Sequence, residues 1–255
     1  MRSEFRAAPP LTTGERNVNS AELTRAPHAP PPGQHGAALW MKITLAQGLL
    51  NTAAQRFWSQ PNLPRLFPSF LRELYSLVSC SVPLMNAACK RAMELSAADP
   101  LASRTAAYLE QHIREEAHHD EWLLNDLIAA GMDRATLLHR APSAGVAQLV
   151  GAQYRWIRHA HPAALFGYLA VIEGNPPLPQ HLQEIQQLTG YPSEAFRCLH
   201  LHAADDVEHL NELRATITGL PLSAEEAALI STSAFTTMQG LVSILEELTT
   251  QQQAA

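Results

Sequence analysis

The stretch PSEAFRCLHLHAADDVEHLNELRATITG, residues 192–219, decides how this 255-residue chain is read. Turned at 100° per residue, its Ala195, Leu199, Ala203, Leu210, Leu213 and Ile217 fall within about 60° of Asp206, the apolar stripe of a core-facing helix. Pro192 opens that helix and Gly219 closes it. His202 and His209 share the stripe, so the spacing H-x3-D-x2-H aims three ionisable side chains at the core. His200, Asp205 and Glu208 fall outside it. An unpartnered carboxylate in a core costs several kcal/mol. One buried His or Asp is ordinarily met by one hydrogen-bonding neighbour, whereas three on one stripe each need a partner of their own, which weighs against a merely structural role.

Working outward, Asp99-Pro100 supplies an N-cap with proline in the first turn, and Gly131 supplies a stop. The spacing predicts one helix over 100–130. Its apolar stripe, Ala102, Leu109, Ile113, Ala117, Leu124 and Leu127, also contains Glu116 and Asp120. His112 and His119 lie along one edge, and Glu115, His118 and Trp122 project from the far side. Of two E-x2-H spacings, Glu115/His118 and Glu116/His119, only the second faces inward. A third feature is Glu173, which ends the apolar run Ala163–Ile172. A carboxylate at a helix C-terminus opposes the macrodipole, so a buried Glu173 asks for a cation. Further helices are expected over 43–59, 67–96 (bent at Pro83), 144–160, 162–173 and 179–189. A capping box, Ser223 with Glu226, opens a last helix to about 250.

No strand-like alternation appears. The expectation is an all-α, single-domain bundle of about seven helices over 37–255. Residues 1–36 hold six of the 18 prolines, including Pro30-Pro31-Pro32, and are expected to be a disordered or polyproline-II tail. The formal charge of −6 argues against nucleic-acid binding. The longest uninterrupted apolar run is ten residues, so no membrane span is expected. Cys80, Cys89 and Cys198 form an odd set without zinc-type spacing, and no secretory h-region opens the chain. A reducing cytoplasm is the expected setting. Only 16% of residues are charged, which suggests a homodimer. Tyr154, Arg155, Trp156, Arg158, His159 and His161 gather before Pro162, where an arginine could hold a substrate carboxylate or simply face solvent.

Glu116, His119, Glu173, His202, Asp206 and His209 thus offer three carboxylates and three imidazoles from three helices. The absence of thiolates disfavours structural zinc, and mixed His/carboxylate donors suit iron or manganese. Three carboxylates leave two divalent ions with a net charge of about +1, and i, i+3 and i, i+4 spacings aim ligands at a common dinuclear centre. The ferritin-like pattern wants two E-x2-H motifs, and only one faces inward here.

The ordered set E-x2-H, an isolated Glu ending an apolar helix, then H-x3-D-x2-H, within HIREEAHHDEWLLNDL, VGAQYRWIRHAHPAALFGYLAVIEGNPP and LHAADDVEHL, resembles the haem-oxygenase-like diiron oxidases and oxygenases, or iron-containing redox enzymes. The resemblance covers residues 65–220 and implies a seven-helix haem-oxygenase-like fold with two non-haem Fe(II) ions and O2 as co-substrate. It implies Glu116, His119, Glu173, His202, Asp206 and His209 as metal ligands, Glu173 as a bridge, and Glu116, Glu173 and Asp206 as the catalytic carboxylates. Some members carry a carboxylate two turns before the first ligand histidine, where this chain has His112. Either Glu116 or His112 fills that role. The family's reactions include N-oxygenation of amines, oxidative decarboxylation of fatty acids and C–C cleavage of amino acids, implying a small-molecule substrate and an external electron donor. Two other readings stay open. One is a cofactor-free enzyme of thiaminase or quinone-biosynthesis type, using the same groups as acids and bases. The other is a non-catalytic helical protein whose polar core groups pair with one another.

Overall fold

A computed structural model describes residues 33–174 and 177–251, and for 204–208 and 251 the backbone alone. Ten α-helices and two 3-10 turns make up the described chain, and no strand occurs among the described residues. The helices are α1 (Gln34–Trp58), α2 (Leu63–Leu95), α3 (Pro100–Glu115), α4 (His119–Ala129), α5 (Arg134–His139), α6 (Ala144–His159), α7 (Leu165–Ile172), α8 (Pro179–Thr189), α9 (Arg197–Gly219) and α10 (Ala224–Gln251). The expected tail falls outside the described residues up to position 32. At its end the boundary moves, because Gln34 already belongs to α1 and Gly36 packs against the carbonyl of Ile217.

α7 explains the apolar run. Every residue from Leu165 to Val171 is buried, and a helix hydrophobic all round is one enclosed on all sides. It lies on α10, with α6 and α9 beside it. Gly167 permits the close approach, since a Cβ there would strike the Ile230 carbonyl and the Ala234 amide of α10. α10 is itself long and apolar enough to cross a membrane by length and composition, with a mean hydropathy of 1.4. It is a core helix here, burying Ile230, Ala234, Met238, Ile244 and Leu248 against α1, α6 and α7. The ten-residue run was therefore too narrow a test, because Ser and Thr interrupt the pattern of α10 without making it polar.

The capping signals hold. Asp99 Oδ1 accepts the Leu101 and Ala102 amides at 2.9 and 3.0 Å, and its other oxygen accepts from His161 Nε2 at 3.0 Å. That ties the start of α3 to the turn leading into α7. Burial works against the Asp99 carboxylate, but these hydrogen bonds and the His161 ring outweigh it and hold its pKa below the usual range. Ser223 and Glu226 exchange hydrogen bonds at 2.7 and 3.1 Å, completing the expected box.

One expectation fails where it matters most. The single helix over 100–130 is two helices, with Glu116, Ala117 and His118 between them. His118 has φ 75°, in the left-handed region that a residue with a Cβ enters only at a cost. A wheel drawn across 100–130 therefore loses phase at 116. The stretch between α4 and α6 also holds the unexpected α5, a short helix whose Thr136 amide donates to the capping Asp133 carboxylate at 2.8 Å.

Candidate metal centre

The helix break turns the E-x2-H spacing into a contact. Glu116 ends α3 and His119 begins α4, and His119 Nδ1 lies 2.9 Å from Glu116 Oε2. The His202 ring of α9 stands edge-on to His119, with centroids 4.9 Å apart at 86°. One donor atom from each of Glu116, His119 and His202 lies within 4.8 Å of the others. Trp122 stacks on the outer face of His119, centroids 4.5 Å apart, and fixes its plane.

A second group of donors adjoins the first. His112 is 2% exposed, and its Nε2 lies 2.8 Å from Glu173 Oε1. Its Nδ1 is 3.4 Å from Glu115 Oε2, and its ring meets His209 edge-on at 5.5 Å. His209 Nδ1 is 3.7 Å from Glu116 Oε1 and its Nε2 is 4.0 Å from Glu115 Oε2, so Glu116 and His209 join the two groups. Tyr108 stacks on His112, and buried Tyr168 reaches the Ser81 hydroxyl at 3.4 Å.

Each residue singled out from the sequence can now be placed. Glu116, His119 and His202 gather in one group, and Glu173 and His209 in the other. Asp206 lies on α9 between His202 and His209, and its side chain is outside the described residues. Glu116 and His112, the two candidates for one ligand position, both lie in the cluster. Glu115, expected on the far side, reaches His112 and His209 because α3 ends there. His118 is solvent-exposed, and Asp120 is half-buried. Arg158 lies 5.5 Å over the Tyr154 ring, so its guanidinium is engaged at the helix surface.

Electrostatics follow from the crowding. Burial alone would lower the His112 pKa, but the Glu173 carboxylate, then Glu116 and Glu115, raise it to about 9. Burial pushes Glu116 up, and the imidazoles of His119, His202 and His112 bring it below its usual value. Burial and then the nearby carboxylates, Glu173 first, drive Tyr108 far above the ordinary phenol range.

The donors fit a cation. Glu116 Oε1 and His209 Nδ1 are buried and make no hydrogen bond to any described residue, although they face each other at 3.7 Å. Leaving a buried polar atom so costs about 1–3 kcal/mol. A metal ion would take up lone pairs that Glu116, His119 and His202 bring together from α3, α4 and α9, and the oxygen and imidazole donors are those of iron or manganese.

Sequence reasoning missed Asp126. It is fully buried on α4 and accepts the Cys198 amide at 2.8 Å, in the first turn of α9. Those amides have no partner within the helix, so Asp126 pins the helix carrying His202 to the helix carrying His119. Its position between Leu123 and Leu127 was the available signal. Burial raises its pKa to about 6 against the opposing Cys198 amide and Arg197.

Residues 70–241 match the family described as iron-containing redox enzyme, Haem_oxygenas_2, and the chain belongs to that family. Among solved structures it is similar to a domain of unknown function with a haem oxygenase-like fold from Shewanella denitrificans OS217. That likeness has a TM-score of 0.65 and 15% identity, over 86% of this chain and 91% of that one. It is also similar to a TenA homolog from Pseudomonas syringae pv. tomato DC3000, with a TM-score of 0.63 and 14% identity, over 88% of this chain and 99% of that one. At such identities the likeness establishes the fold. No curated protein matches the sequence.

Proposed function

We propose that the chain is an O2-dependent non-haem diiron oxidase or oxygenase acting on a small organic substrate. The observation that carries this reading is the buried, convergent donor set of Glu116, His119, Glu173, His202 and His209, in a chain of the iron-containing redox enzyme family. Glu116, His119 and His202 would hold one iron, and Glu173 and His209, with Asp206 from the same face of α9, the other. Bound iron would supply the one-electron chemistry that activates O2.

The chain's own residues set the conditions. The all-apolar walls of α7 keep bulk water from the donors and strengthen every charge interaction inside. Asp126 fixes the start of α9, and Trp122 and Tyr108 fix the planes of His119 and His112. His112, held by Glu173, keeps a proton beside the site that can be passed to reacting oxygen. The substrate is a small molecule, with an amine derived from an amino acid or a fatty acid as the first classes to screen, and electrons beyond those of the substrate come from an external donor.

Oxygen uptake by ferrous-loaded protein tests the reading. We expect consumption of O2 that depends on iron and falls at least tenfold in His202→Ala, with helicity unchanged. A second reading is a cofactor-free enzyme, favoured by the His112–Glu173 pair, a ready acid and base at 2.8 Å, and by the likeness to a TenA homolog. Turnover of a candidate substrate that survives a strong chelator would replace the first reading with the second.

A further inference from the structure

We propose that the outer face of α1 is the two-fold interface of a homodimer, with α1 of a second copy packed antiparallel across it. Leu45 and Leu49 are the most exposed large apolar residues described, at 77% and 71%, and Met41 follows at 64%. They repeat at i, i+4 and i+8, which is one ridge of an α-helix. The flanking exposed positions are Ala37, Ala38, Thr44, Gly48 and Thr52, and Lys42 supplies the only charge from Gln34 to Gln55.

The ridge is self-complementary, as an isologous contact requires. A two-fold axis through Leu45 sets Leu45 on its own copy, Met41 on Leu49, and Ala38 on Thr52. The same register lays the stem of Lys42 over Gly48, where a Cβ would meet nothing within 4 Å. α10, which packs along α1, is neutral over most of its length as well. No ionisable residue occurs from 227 to 245, and Ala228, Thr232, Phe235, Gln239 and Ser243 are exposed there.

Charge favours a second copy as occupant. Each chain carries −6, so two copies repel except where acidic groups are missing, and α1 from Gln34 to Trp58 has none. Met41, Leu45 and Leu49 together expose on the order of 400 Å2, as large as the largest patch on many monomers. With Lys42 and the small exposed residues of α1 around them the face approaches the ~800 Å2 per partner of a standard interface.

Light scattering on the full chain tests this, with circular dichroism as the check on folding. The expected mass is twice 27.9 kDa. Leu45→Glu, which sets two carboxylates on the axis, should give the single-chain mass with unchanged helicity. Met41→Glu alone should raise the dimer dissociation constant at least tenfold, and Met41→Glu with Leu49→Lys should recover most of it, because position 41 faces position 49 of the partner. A wild-type monomer up to 100-fold above working concentration overturns the proposal, whether residues 1–32 or another surface then covers the face. So does a dimer that survives Leu45→Glu, or a double variant no better than the single.

Discussion

At the scale of single residues, the buried carboxylates carry most of the information. Asp126 is the plainest case. Its folded pKa of about 6 stands above the ordinary carboxylate value of 3.8, so the folded chain holds this proton more tightly than the unfolded one. The stability it contributes is present below about pH 4 and is lost as pH rises through 6. Asp126→Asn keeps an oxygen for the Cys198 amide and abolishes the titration. Measured by thermal or denaturant unfolding, the stability of Asp126→Asn relative to wild type should rise by about 2–3 kcal/mol between pH 4 and pH 7. A flat difference would show that Asp126 does not titrate in that window. The inward direction of His202 and His209 was legible in the sequence because α9 is unbroken across them and keeps its period of 3.6. Glu115 was not legible, because its direction depends on α3 ending where it does.

The helix break is an element-scale feature with the largest consequence for the site. Nothing in HIREEAHHDEWLL announces a stop: there is no glycine or proline, and the apolar positions 113, 117 and 124 keep helical spacing. What wins is tertiary, the packing of α3 against α2 and of α4 against α9, with the cost taken at His118 in the left-handed region. His118→Gly should therefore stabilise the fold by about 0.5–1 kcal/mol. In a continuous helix the same change would cost about 1 kcal/mol, so the sign of the shift in denaturant midpoint decides the point. A second element-scale test lies at the α7–α10 crossing. Gly167→Ala should destabilise by about 3 kcal/mol or more, because the obstructing atoms are α10 backbone rather than a side chain that can turn away. Helix starts were easy to place, since Asp99-Pro100 and Ser223/Glu226 carry their own hydrogen-bonding logic. The six-residue α5 is too short to show a period at all.

For the whole molecule, the all-α class was readable from the absence of alternation and the repeated caps, and the haem oxygenase-like likeness agrees with it. The helix count rose from about seven to ten, because proline, a left-handed residue and single-turn pieces divide stretches that pattern alone joins. The arrangement that results brings the C-terminal end of α7, the junction of α3 with α4, and the middle of α9 to one place. No one of these segments could bury its ionisable groups alone. We propose that they do so around two metal ions, and iron stoichiometry after anaerobic ferrous loading is the measurement that tests this. The expected result is about two irons per chain in the wild type and one or none in His202→Ala and His209→Ala, with all three proteins equally helical. A folded wild type that takes up no iron, or full loading in both variants, would contradict it.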